Sequence, residues 1–194
     1  MSEAGRPLDI RVGSTPEATL VVSAAERRMG ATRGQWLGLV AIAGAGVAAD
    51  QVTKAAIRST LSVDEIVHVA GPFSLRHVWN SGIAFGMFAG ALPVVIALTI
   101  AALGWMLLFF ARSGARHPLL APAIGLLTGG SVGNLVDRLR VGHVTDFLDI
   151  RWWPTFNLAD AFITIGVALL LVVVLLGDRS RPVRTAPDPG APGL

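Results

Sequence analysis

Four apolar runs of about twenty residues, near 36–57, 91–111, 119–138 and 158–177, leave this chain few ways to fold. A hydrocarbon layer of ~30 Å takes about 20 residues of α-helix. Inside it every backbone N–H and C=O must be met within the protein, which leaves helices as the form for such runs. The run 91–111 carries no charge at all. With 53% hydrophobic and only 15% charged residues, and a mean hydropathy of +0.61, the chain is too apolar for an ordinary soluble domain. The expectation is an all-α membrane protein of four transmembrane helices in one domain, 34–178. Residues 1–33 read as a disordered N-terminal tail and 179–194 as a Pro-rich C-terminal tail. Val21 to Met29 has a brief amphipathic pattern only.

Polar residues collect where these runs end. Gly129-Gly130-Ser131-Val132-Gly133-Asn134-Leu135-Val136-Asp137-Arg138 closes the third run, and Val144-Thr145-Asp146-Phe147 follows it. A charge near hydrocarbon costs roughly 2.5–3.5 kcal/mol on insertion scales, so such a cluster marks a functional site. Asp50 and Lys54 near the end of the first run stand at i, i+4 and can pair on one helix face. Lys54 is the only Lys, every other basic side chain being Arg. A snorkelling surface ion pair is the plainer reading of the two. Asn157 and Asp160 open the fourth run, where helix capping competes with a role in chemistry. Asn80, after a strand-like stretch, reads equally as a turn former, a helix N-cap or a site residue. Asn134, Asp137 and Arg138, at i, i+3 and i+4, are expected to point the same way. Gly125, Gly129 and Gly133 recur every fourth residue, the small face that lets helices approach closely.

Two β-like pieces, 66–69 and 73–79, flank a Gly71-Pro72 turn and suggest a small extramembrane sheet. The segment 80–88 is too short to span and fits an interfacial half-helix. Residues 139–156 read as a loop whose Trp152 and Trp153 suit the membrane surface. Arg27, Arg28, Arg33, Arg112, Arg116, Arg179, Arg181 and Arg184 put both termini in the cytoplasm by the positive-inside rule. The polar cluster then falls at the outer face. A competing reading treats Arg27-Arg28 and the run to Ala49 as a cleaved twin-Arg signal.

The net charge of +3 is scattered, with no basic stripe for nucleic acid. With no Cys there is no thiol nucleophile and no Cys-bound metal. His68, His77, His117 and His143 are too dispersed to suggest a metal site.

Five blocks in order, Asp50-Gln51-Val52-Thr53-Lys54, Asn80-Ser81-Gly82-Ile83-Ala84-Phe85-Gly86, Gly129 to Arg138, Val144 to Phe147 and Phe156-Asn157-Leu158-Ala159-Asp160, make the chain resemble the lipoprotein signal peptidases (signal peptidase II). These are bacterial membrane aspartic peptidases. Ile83 stands where Ala is usual and Thr145 where Val is common. The resemblance implies four transmembrane helices with a small extracytoplasmic β-sheet and an interfacial half-helix. It implies Asp146 and Asp160 as the catalytic pair, supported by Asp50, Lys54, Asn80, Gly82, Asn134, Asp137, Arg138 and Asn157, with Arg138 paired to Asp137. It also implies no metal or cofactor, a monomer in the cell membrane, and prolipoprotein substrates cut on the N-terminal side of a diacylglyceryl-modified Cys. A transporter would need polar groups through the bilayer depth, which the apolar inner halves of the runs lack. A purely structural assembly protein would tolerate loss of both Asp146 and Asp160.

Overall fold

The computed structural model describes residues 30–81, 92–114 and 117–177. The readings of Val21–Met29, of Gly82 and the half-helix after it, and of the C-terminal tail lie outside them. In order the elements are α1 (Arg33–Thr60), β1 (Ile66–Ala70), β2 (Phe73–Asn80), α2 (Leu92–Ser113), α3 (Leu120–Val141), β3 (Val144–Ile150), β4 (Trp153–Phe156) and α4 (Leu158–Gly177). Helices α1, α2 and α4 are long and apolar enough to cross a membrane.

Helix α1 begins earlier than the hydrophobic run because Thr32 caps it. The Thr32 hydroxyl accepts from Gln35 N (3.3 Å), while Gln35 Oε1 accepts from Thr32 N (2.9 Å), a reciprocal box that uses two otherwise orphan donors. Helix α3 runs to Val141, one turn beyond the expected end. It stops at Gly142, whose φ of 80° lets its N–H turn back to Arg138 O at 3.2 Å. Helix α4 starts at Leu158, on the predicted boundary.

α3 is the packing centre, and small residues account for its close neighbours. A Cβ placed on Gly129 would lie 2.8 Å from the Ala43 carbonyl oxygen of α1, and one on Gly133 would lie 2.6 Å from Asp50 Oδ2. One on Gly130, which belongs to no predicted face, would strike the Ala159 carbonyl of α4. An apolar core, with Leu39, Phe110, Leu120, Ile124 and Leu127 buried, joins the start of α1, the end of α2 and the start of α3. Trp36 meets Phe110 there edge to face at 5.0 Å. Much of the outward surface stays apolar, including Leu98, Trp105, Leu108, Val172 and Leu175, as lipid contact requires.

The sheet sits at the other end. It is four-stranded and antiparallel in the order β1-β2-β3-β4. The predicted hairpin is present, with Gly71 at φ 55° between its strands. The stretch read as a loop, 139–156, instead holds β3 and β4. Val144, Thr145, Asp146 and Phe147 are all buried, so the inside-outside alternation that betrays a half-exposed strand is missing. Asn80 has a place in the sheet, whatever it does for the segment after it. It ends β2 and pairs with Val144, which sets its side chain diagonal to Asp146 on the same face.

Candidate active site

Asp50, Lys54, Asn80, Asn134, Asp137, Asp146, Asn157 and Asp160 meet at the sheet-bearing end of the bundle, in two connected halves. The first half is charged. Lys54 Nζ stands 2.9 Å from Asp50 Oδ2 and 3.2 Å from Asp137 Oδ2, with Asp50 and Lys54 wholly buried. The plainer alternative, a surface ion pair at a helix end, is therefore ruled out: the α3 glycines bring α1 close enough to enclose both side chains. Asp50 Oδ1 also accepts the Ala159 N–H (3.0 Å), one of the orphan donors at the start of α4. Asp137 accepts from Thr145 N at 3.1 Å and lies 3.6 Å from Arg58 Nη1. A buried ion pair tolerates its desolvation only when its remaining lone pairs and protons are met, and here they are.

The second half is built of amides. Asn80 Nδ2 donates to Asp146 Oδ2 (2.9 Å) and Asn157 Nδ2 to Asp146 Oδ1 (2.7 Å). Asn157 Nδ2 also reaches Asn134 Oδ1 (3.1 Å), and Asn134 Nδ2 donates to Asp160 Oδ1 (2.8 Å). Two side-chain amides thus join the two carboxylates. Asp160 Oδ2 accepts from Asn157 N (3.2 Å) while Asp160 N donates to Asn157 Oδ1 (3.0 Å), so the capping reading of this pair holds alongside its place in the cluster. Lys54 links the halves by donating to Asn134 Oδ1 at 2.8 Å. Burial pushes the Asp146 carboxyl up from 3.8 to about 6, against the Asn80 and Asn157 hydrogen bonds that pull it down, with the nearby Asp160 charge adding to the rise.

The pairing expected between Arg138 and Asp137 does not form. Successive helical residues diverge by about 100°, so the face shared by 134, 137 and 138 is wide enough for its two edges to part. Asp137 turns to α1, whereas Arg138 Nη1 reaches the Asn134 carbonyl, at 3.5 Å. Arg138 lines a cleft of about 310 Å³ between α2, α3 and α4, with Val95, Leu98, Thr99, Ser131, Asn134, Asp160 and Ile163. Sequence reasoning missed two contributors. Gln51 Nε2 lies within 3.1–3.2 Å of Asp50 Oδ2, Asp137 Oδ1 and Gly133 O. Arg58 grips Asp137 and donates to Thr145 Oγ1 at 3.0 Å. The repeat 50, 54, 58 along α1 was the available signal for Arg58.

The model of the family described as signal peptidase (SPase) II matches residues 42–176, most of the chain and every element of this cluster. The chain belongs to that family. Signal peptidase II relatives agree along their length. A lipoprotein signal peptidase of Symbiobacterium thermophilum is 39% identical over 145 residues, 72% of this chain and 95% of the relative. One of Moorella thermoacetica is 41% identical over 138 residues, 70% and 92%. Among solved structures, a bacterial membrane enzyme determined by the in meso method at 2.3 Å superposes with a TM-score of 0.73 at 29% identity, covering 81% of this chain and 98% of its own. As a signal peptidase II the protein is a peptidase.

Proposed function

We propose that this peptidase hydrolyses prolipoproteins on the N-terminal side of a diacylglyceryl-modified Cys, with Asp146 and Asp160 as an aspartic dyad. It does so as a monomeric four-span protein of the bacterial cell membrane, α3 crossing beside α1, α2 and α4, both termini cytoplasmic and the dyad at the outer face. The observation that carries this reading is the amide bridge. It fixes two carboxylates from different elements, one of them facing a cleft walled by apolar side chains of α2 and α4.

In this reading Asp146, raised to about 6 by burial, holds the proton the pair shares. Asp160 accepts two N–H donors at the positive end of α4 and serves as the base. Water placed between them loses a proton to Asp160 as its oxygen attacks the scissile carbonyl carbon. Asp146 donates its proton to the developing oxyanion. Collapse then breaks the C–N bond, with a proton passing from the dyad to the leaving amine. Arg138 lies in the cleft beside Asp160, free to take a substrate carbonyl. The acyl chains stay in lipid against the apolar wall formed by Val95, Leu98 and Ile163.

The test is cleavage of a lipid-modified prolipoprotein by the purified protein in detergent. Wild type should release the signal peptide at the same rate with or without a chelator. Asp146→Asn and Asp160→Asn should each cut by less than about a hundredth of that rate, since a lost acid–base group costs 10²–10⁴-fold. Near-normal turnover by either variant would remove that residue from the dyad.

A further inference from the structure

A second cleft, also about 310 Å³, opens on a different face of α3 from the one that bears Arg138, between the last turns of α1 and α3. Gln51, Arg58, Asp137, Arg140 and Val141 line it. We propose that it binds the phosphodiester headgroup of an anionic membrane lipid. Three observations lead there. First, depth: at 1.5 Å per residue the 28 residues of α1 span roughly 42 Å, the thickness of hydrocarbon plus headgroups, so its last turn, with Arg58, lies at headgroup level. Second, sign: the one acid in the lining, Asp137, is already engaged by Lys54, Arg58, Gln51 and the Thr145 N–H. Arg140, by contrast, makes no ion pair among the described residues, which leaves the cleft net positive. Third, geometry: two guanidinium groups from different helices flank one opening, and paired N–H donors on planar groups match phosphate oxygens better than a single point charge does. Arg140 in the last turn of α3 also suits the negative end of that helix, but this explains its place on the helix and not the opening beside it.

An occupant here would touch the frame of the active site without entering it. Arg58 joins the cleft to Asp137 and to Thr145, the residue before Asp146. The inference does not rest on the catalytic assignment, and its test does not read cleavage. Full-length protein would be equilibrated with micelles containing equal parts phosphatidylglycerol and phosphatidylcholine, and its retained lipid counted by native mass spectrometry. Wild type should keep one phosphatidylglycerol in preference to phosphatidylcholine. Arg140→Gln should retain it about fivefold less, the factor for one guanidinium removed from an anionic lipid surface. Arg140→Lys should recover part of the loss, and Arg151→Gln, which removes the same charge from the exposed β3–β4 turn, should match wild type. Equal losses in Arg140→Gln and Arg151→Gln would reduce the effect to general surface charge and overturn the site. Displacement of the lipid by inorganic phosphate at low millimolar concentration would overturn the lipid as its occupant.

Discussion

Gly133→Ala adds one methyl group to a residue with no reactive atom, yet it should nearly silence the peptidase. The new Cβ would lie 2.6 Å from Asp50 Oδ2 and 3.1 Å from its Cγ, about 0.8 Å short of the 3.4 Å at which ordinary contact begins. Asp50 has little room to yield, because Oδ2 is 2.9 Å from Lys54 Nζ and Oδ1 holds the Ala159 N–H at the head of α4. The displacement therefore passes two ways. Through Lys54 it reaches Asn134 and the Asp160 oxygen that Asn134 holds, and through Ala159 it reaches Asp160 along the backbone. A shift of about 1 Å in a catalytic group costs on the order of a hundredfold in rate. Overpacking should also lower stability by about 1–3 kcal/mol, partly offset by the better helix propensity of Ala. Gly44→Ala is the control: it makes the same change in α1 with nothing within 4 Å of the new atom. The assay is single-turnover cleavage at matched amounts of folded protein. If Gly133→Ala turns over within about threefold of Gly44→Ala, the chain of contacts from α3 through Asp50 to the dyad does not set the site.

Other expectations follow from the same contacts. The cleavage rate should fall as pH rises, with a midpoint at or above about 6, because Asp146 is protonated below that value and a buried substrate raises it further; a rate flat from pH 5 to about 9 would refute the assignment of the proton. The sign for stability is the same: the folded state binds more protons than the unfolded between 3.8 and about 6, so the contribution of Asp146 to stability declines through that window and stays at its lowest above it. Lys54→Met leaves buried Asp50 without its ion-pair partner and should cost about 3–5 kcal/mol in denaturation experiments, with Asp50→Asn in the same chain restoring much of it. The mass of the protein isolated from membranes should include 36–49, because Trp36 packs on Phe110 and Gln35 Nε2 donates to Gly114 O at 2.7 Å; a mature terminus near Asp50 would instead favour the cleaved-signal reading.

What the sequence disclosed and what it hid divide along physical lines. The spacing of Asp50 and Lys54 on one helix turn, the start of α4 at Leu158 and the small face of α3 are local properties, and local periodicity reports them. The depth of Asp50 and Lys54 depends on how closely two helices approach, which no single helix pattern contains; from sequence alone the pair reads as readily as a surface one. β3 was invisible because it is covered on both sides. The divergence of Asp137 and Arg138 is legible in the sequence, since adjacent helical residues part by about 100° and a face shared with residue 134 does not make the two point together. Gly130 stands among other glycines in the sequence, with no spacing to mark that it meets the α4 backbone at Ala159.

The division of the cluster into a charged half and an amide half bears on how the proposed acid pair would keep a proton. Two acids and two bases, Asp50, Asp137, Lys54 and Arg58, satisfy one another within the frame. Had Lys54 or Arg58 touched Asp146 or Asp160 directly, the opposite charge would favour the ionised form of each, and no proton would be held near neutrality. Among the described residues the hydrogen-bond donors to the two carboxylates are instead Asn80, Asn134 and Asn157 and a backbone N–H, which fix position without adding charge, while Arg138 shares the cleft with Asp160 without bonding to it. For Asp146 this balance is visible: burial outweighs two amide hydrogen bonds, and the Lys54 charge, held on Asn134, acts on it only weakly. Lys54 acts at one remove, holding the Asn134 oxygen so that its NH₂ points at Asp160. Asn134→Asp separates the two roles. It keeps size and shape but puts a carboxylate where the amide stood, drawing Lys54 into an ion pair and offering Asp160 a like charge. Turnover should fall by at least a hundredfold, the low end for a lost acid–base contribution, and the alkaline limb of the pH profile should move. A variant that kept both rate and profile would mean that neutrality of the bridge is not what keeps the proton on the pair.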